Sequence, residues 1–212
     1  MACNCPLPTT LTAITATTCP EDLGQIQRLF FVRKGYVIWD TAFPANNVPA
    51  TITGDLITGV TGWTTLIGAP DSTKVIKTPL IGGDPVINAG DINQTGGNDN
   101  STLNGEVYFN SLNPSTFTAR FDQLTAAQTA QFKNLACESL EVYFINQDGD
   151  IIARRDGDNV TGFPVKGATV LQSRSVQGFG TRNSNNIQFQ LDADWDEYFE
   201  KFTPTDFNAL TF

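Results

Sequence analysis

Cysteines and clustered carboxylates are the residues here whose types could do chemistry, and they must act without imidazole, because the 212-residue chain has no histidine. That removes Ser-His-Asp and Cys-His catalysis, the usual imidazole metal ligands and the commonest general base near neutral pH. The cysteines are Cys3, Cys5, Cys19 and Cys137. A C-x-C followed by two isolated cysteines lacks the paired C-x2-C knuckles of a four-thiolate zinc site. Free thiols are the favoured reading, ahead of a disulfide tying down the N-terminal arm and of zinc. Cys137, near the end of a packing helix, reads as a buried structural thiol rather than a nucleophile.

Four carboxylates, Asp148, Asp150, Asp156 and Asp158, form two Asp-Gly-Asp triplets separated by IIARR. A calcium loop wants D-x-[DN]-x-[DN]-G closed by a glutamate, so the triplets read as two turns at one end of a hairpin. A glycosidase needs two carboxylates at a set separation, one with a raised pKa, and no local signature marks such a pair. Neither Gly82-Gly83 nor Gly96-Gly97 is followed by the lysine and hydroxyl of a phosphate cradle. The expectation is a protein without a cofactor, without a metal and without catalysis.

Composition points the same way. The chain is 40% hydrophobic and 10% aromatic, enough for a real core, while only 17% of residues are charged, against about 25% in an ordinary domain. Thirteen Lys and Arg against 22 Asp and Glu leave a net charge of −9. Phosphate affinity comes largely from basic side chains displacing counterions, so no specific nucleic-acid binding is expected. No apolar run approaches the roughly 18 residues of a membrane span. The first twenty residues carry no charged side chain, so the basic start of a secretory signal is missing and a cytoplasmic, unprocessed product is expected.

The elements that would position these residues are mostly strands. Gln25–Val32 and Tyr36–Trp39 read as a strand pair around Arg33-Lys34-Gly35. Residues 44–70 are punctuated by glycine and proline and suit short strands or irregular structure better than a helix. Lys74–Ile81 and Glu106–Asn110 are strand candidates. Between them, 82–105 is a long Gly/Asn/Asp-rich loop, read as a contact loop completed by a neighbouring subunit or as a solvated hairpin tip. Thr116–Phe121 alternates, with Phe117, Ala119 and Phe121 on one face. Thr125-Ala-Ala-Gln128 is a capping box opening a helix over 125–138, with Phe132, Leu135 and Ala136 on its inner face. Asp148-Gly149 favours a type I′ two-residue turn between strands Leu140–Gln147 and Asp150–Arg155. Further strands are expected at Ala168–Val176 and Ile187–Leu191. The sum is a mainly β (α+β) domain over 25–191, a β-sandwich or barrel of about eight strands with one flanking helix.

Both ends read as arms. Residues 1–24 read as an extended arm, uncharged over its first twenty residues, with Leu11 and Ile14 as contacts of a strap on a neighbour. In 192–212, Trp195, Tyr198, Phe199 and Phe202 stand at i, i+3, i+4 and i+7, the stripe of an amphipathic helix. Phe207, Leu210 and Phe212 continue the aromatic run. A segment this apolar must dock, either on its own domain or between protomers. With Ile87 and Ile92 of the long loop, these residues are the expected inter-subunit contacts. The stretch Asp192–Asp206 holds six acids and one base, which suits a solvated face, a basic partner, or a passage along which nucleic acid slides without sticking.

The early GQIQRLFFVRKGYVIWD, the Gly/Asn-rich loop, the strand–capped helix–hairpin unit and the terminal GFGTRNSNNIQFQL resemble structural subunits of tailed-phage virions, most of all the tail or connector ring proteins of crAss-like phages. That resemblance implies a tail-tube-like fold whose protomers close into a ring around a DNA channel. The partners would be copies of the chain and neighbouring portal, tail or ring subunits, and its place the virion, assembled in the bacterial cytoplasm. The alternative is a surface-displayed carbohydrate-binding or adhesive β-sandwich, capsid decoration included, with Trp39, Trp63 and Trp195 stacking on sugars.

Overall fold

The computed structural model describes residues 22–40, 56–97, 105–157, 159–176 and 178–212. The chain divides into a large unit, Leu23–Gly90 with Pro114–Phe212, and a small one that holds Asp91–Asn113. Among the described residues are thirteen strands and two α-helices, a mainly β fold of antiparallel pairs.

In the large unit the central strands are β1 (Ile26–Arg33) and β8 (Leu140–Asn146), paired over almost their whole length from Ile26↔Asn146 to Arg33↔Leu140. Every residue of β8 is buried, as a strand covered on both faces requires. The period of two then sorts its side chains. Leu140, Val142 and Phe144 enter one core cluster with Leu29 and Phe31, while Tyr143 and Ile145 enter a second with Phe30 and Val32. The first cluster is shared with β7 (Ser115–Asp122) and β12 (Ser184–Leu191), which pair in unbroken register from Ser184↔Asp122 to Leu191↔Ser115. Phe117 stacks on Phe189 at 4.7 Å, and Phe31 meets Phe189 edge-on at 5.8 Å. Strand β11 (Phe163–Leu171) joins the two halves, pairing β8 at its start and β12 beyond.

A fork opens where β9 (Ile151–Asp156) leaves β8 after two pairs. It is filled by β10 (Asn159–Thr161) on β9 and by the start of β11 on β8. Gly162 sits between β10 and β11. A Cβ there would lie 2.8 Å from the Glu141 Cβ and 3.0 Å from the Val142 nitrogen, so only glycine lets the backbones approach. Glu141 itself is 5% exposed and accepts the Gly35 amide at 3.1 Å. Burial raises its pKa above the ordinary carboxylate range, against the opposing effects of the Gly35 amide and Lys34.

The capping box forms as expected. Thr125 Oγ1 accepts the Gln128 amide at 3.2 Å and Gln128 Oε1 accepts the Thr125 amide at 2.9 Å, opening α2 (Ala126–Asn134). Phe132 and Leu135 are buried. Phe117, Ala119 and Phe121, and Ile187, Phe189 and Leu191, face the core as their alternation predicts.

Other expectations are corrected. Residues Val60–Gly68 form a helix, α1, where short strands or irregular structure are expected. Its glycine and β-branched content is poor for helix, and tertiary contact overrides it. Trp63 is fully buried against Phe30, Trp39 and Tyr143 and donates Nε1–H to the Ile57 carbonyl at 2.8 Å. Strand β2 (Trp39–Asp40) does not pair with β1 but with β10, because β1 already has β8 on one edge and β3 (Ile76–Lys77) on the other. The β8–β9 connection is not type I′. Only Gly149 is left-handed, at φ 86°, and Asn146 Oδ1 accepts the Asp148 and Asp150 amides at 3.0 and 2.9 Å, which sets a three-residue loop. The last turn of the helix tightens to 3-10 over Leu135–Cys137, leaving Cys137 exposed and unpaired rather than buried.

The largest correction is at the C-terminal end. Only Trp195–Glu197 is helical, as a 3-10 turn, and Phe199–Phe202 is strand β13 on the free edge of β9, from Phe199↔Arg154 to Phe202↔Ile151. A helical stripe would keep Phe199 and Phe202 on one face. The strand sends Phe199 to the first cluster and Phe202 to the second.

In the small unit, β5 (Ile92–Gly96) and β6 (Val107–Leu112) form an antiparallel hairpin, registered Ile92↔Leu112 to Gly96↔Val107. Together with β4 (Val86–Asn88), which pairs β7 in the large unit, it replaces much of the expected loop with strand. Residues 1–21, and with them Leu11, Ile14, Cys3, Cys5 and Cys19, lie outside the described residues. No described helix is long and apolar enough to cross a membrane.

A candidate assembly surface

The β5–β6 hairpin carries exposed apolar side chains on both of its strands. By the pairing register, Ile92, Leu112, Phe109 and Val107 project to one side and Tyr108 to the other, a division set by the period of two and by a bulge at Asn93/Gln94 that puts one extra residue in β6. All five are exposed, Ile92 by 62% and Phe109 by 59%. Asn110 donates to Thr95 Oγ1 at 2.7 Å across the two strands, and the Tyr108 hydroxyl donates to Glu106, two residues back along the chain, at 2.5 Å, which raises the Tyr108 pKa. A two-stranded hairpin is marginal in water on its own. One that displays five large apolar side chains has the composition of an interface core.

The large unit carries a second exposed anchor. Ser175 and Ser184 bridge at the base of a loop whose tip is Gly178-Phe179-Gly180, closed by the Thr181 amide on the Gly178 carbonyl at 3.2 Å. Phe179 is completely exposed and Val176 is 74% exposed. The tail-derived residues behave differently. Trp195 and Phe199 pack on the first cluster, with Trp195 edge-on to Phe163 at 5.8 Å. Phe202 is buried, and Phe207, Leu210 and Phe212 pack on the second cluster. Only Tyr198 is left 44% exposed, with the Arg154 guanidinium 5.3 Å from its ring centre. Ile87, half-buried, packs on the first cluster. Of the described residues expected to reach a neighbour, Ile92 and Tyr198 are therefore open to one.

The tail's acids have local work as well. Asp192 pairs with Lys166 at 2.9 Å, Glu200 pairs with Arg155, and Asp206 accepts the Val60 amide at 3.0 Å at the start of α1. Asp150, 7% exposed, lies 3.6 Å from Lys201. Trp39 and Trp63 are fully buried and offer no face to a sugar.

A groove runs along the outer edge of β3. One wall is α2 and the other is the 70–79 segment, with Ile76, Phe132 and Leu135 in its lining. Its two lobes, about 550 and 750 Å³, share Lys74, Ile76, Gln131 and Leu135. Arg28, Arg33, Lys74 and Lys77 line it. Arg33 is held by Glu138 in a two-pronged pair at 2.8 and 2.9 Å. The Arg28 guanidinium donates to the Leu210 carbonyl and the Lys77 ammonium to the Phe212 carbonyl.

Sequence reasoning misses Val107, Tyr108, Phe109, Leu112, Val176 and Phe179 as site residues. Two signals point to them: an apolar VYF run beside a loop poor in large apolar groups, and a phenylalanine between two glycines. Set against known proteins, the chain matches no family model, no curated protein and no solved structure.

Proposed function

We propose that the chain is a non-enzymatic structural subunit that works by self-association, closing with copies of itself into a ring in the tail or head–tail connector of a phage virion. The observation that carries the assembly reading is the β5–β6 hairpin, whose apolar residues face solvent on both sides. A contiguous apolar surface of that kind marks a protein–protein contact. The outer edges of β4 and β13 add two strand edges that a neighbour would cover, since an unpaired edge is otherwise a hazard. A heterologous contact of one patch with a different patch closes into a ring when the rotation allows it. The virion assignment and the tail-tube-like sandwich or barrel rest on the resemblance of GQIQRLFFVRKGYVIWD and GFGTRNSNNIQFQL to such subunits. The net charge of −9 suits a channel wall that repels phosphate rather than gripping it.

Light scattering and negative-stain microscopy of the purified chain test this. A discrete large oligomer with rotational symmetry is expected, alone or on mixing with portal or tail subunits. A monomer that stays monomeric at high concentration and with those companions overturns the reading.

A further inference from the structure

Resting on that self-association reading, we propose that the β5–β6 hairpin of one copy seats in the groove between α2 and the 70–79 segment of the next copy. The two surfaces match in charge. Residues 91–113 contain three acids, Asp91, Asp99 and Glu106, and no lysine or arginine. The groove gathers four of the chain's 13 basic residues against two acids, Asp71 and Glu138, the latter taken up by Arg33. Among the described residues only Arg33 of the four has an acidic side chain as partner, so Arg28, Lys74 and Lys77 meet no Asp or Glu within ion-pair distance.

That cluster is under tension in the isolated chain. Burial lowers the pKa of Arg28, and burial together with the Arg28 charge lowers that of Lys77. The Arg28 Nε is buried without a hydrogen-bond partner. The negative charge of an arriving segment favours the charged forms of both side chains.

The surfaces also match in kind. The hairpin presents aromatic and β-branched side chains, and the groove offers Ile76, Phe132 and Leu135 between polar walls that include Gln128 and Gln131. A cavity of about 750 Å³ is within the range of small-molecule pockets and admits several side chains. Because the hairpin and the groove are different patches, the contact is head-to-tail and leaves one free hairpin and one free groove on each joined pair to propagate it.

The test uses the full chain with Cys3, Cys5, Cys19 and Cys137 replaced by serine. One preparation carries Ser111→Cys on the hairpin and a second carries Gln131→Cys on the groove wall. Mixed and treated with a short bis-maleimide, they are expected to give a cross-linked dimer in several-fold greater yield than either alone. Independently, Lys74→Glu, at an exposed position, is expected to raise the concentration for half-assembly at least tenfold with an unchanged near-ultraviolet circular dichroism spectrum. Rings that form normally from Lys74→Glu chains, with no mixed cross-link, overturn the groove as receptor while leaving self-association standing. A parent chain that never assembles overturns both.

Discussion

The C-terminal segment and the β5–β6 hairpin are both rich in aromatic and aliphatic side chains, yet one is absorbed by its own fold and the other is not. Residues 199–202 find the free edge of β9, Phe202 is 7% exposed, and Ala209 is fully buried behind it. Phe207 and Phe212 meet edge-on at 5.1 Å, and the Lys77 ammonium stands 5.6 Å from the Phe212 ring. Among the described residues the hairpin's strands pair with each other, and their side chains are in neither core cluster. Apolar surface demands cover, and what supplies it is decided by what lies within reach: the tail finds an unpaired strand and an unfilled core face, while the hairpin's apolar side chains stay exposed.

If the tail is part of the core, damaging it must cost stability. Phe202→Ala is expected to lower the free energy of unfolding by about 3–5 kcal/mol, the range for emptying a buried phenylalanine site. Urea unfolding followed by tryptophan fluorescence reads this directly. A loss below about 1 kcal/mol would mean the tail is a loosely held arm, and the contrast between the two regions would fail.

Legibility follows how local the determinant is. The Thr125–Gln128 box and the alternation in Ser115–Asp122 and Ser184–Leu191 are decided within a few residues, and each forms as expected. The helix at Val60–Gly68 is decided by Trp63 entering a cage of Phe30, Trp39 and Tyr143, and by Asp206 at its first turn, 146 residues away. Nothing in VTGWTTLIG itself announces that. The tail stripe at i, i+3, i+4 and i+7 has the helical period, but β9 offers a strand edge that the period cannot foresee. For the site, the sequence singles out Ile92 but not Val107, Tyr108, Phe109 or Phe179. A short apolar run reads alike whether it faces inward or outward.

The core face that the tail covers also hides a carboxylate, and this sharpens the contrast in a second way. Glu141 lies on the same side of β8 as Tyr143. Burial raises its folded pKa, against the Gly35 and Gly162 amides and the charges of Lys34 and Arg154. Relative to the unfolded chain the native state therefore holds a proton more tightly. The stability tied to that proton is full below the ordinary carboxylate pKa and is lost as pH rises through the raised value. Glu141→Gln keeps an acceptor for the Gly35 amide and removes the charge. It is expected to be more stable than the parent at pH 7 and to lose that advantage as the pH falls toward 4. Urea midpoints across that range decide the matter, and a variant less stable than the parent at pH 7 would show that the ionised carboxylate is well served where it lies.

The smallest effect on stability is expected where the effect on assembly is greatest. Val107 and Phe109, 56% and 59% exposed on one side of the hairpin, take no part in either core cluster. Replacing both with serine should leave the unfolding free energy of the large unit within about 0.5 kcal/mol of the parent, as for surface substitutions generally. The same change removes two of the four apolar anchors, Ile92, Val107, Phe109 and Leu112, that share one side of the hairpin. In an interface, truncation of a central aromatic costs about 2 kcal/mol or more, and a ring repeats that loss at every contact. Sedimentation velocity of the double variant should therefore show monomers at concentrations where the parent is assembled. Were the variant to unfold as readily as Phe202→Ala, the hairpin would belong to the fold in the way the tail does, and its exposed face would need a different explanation.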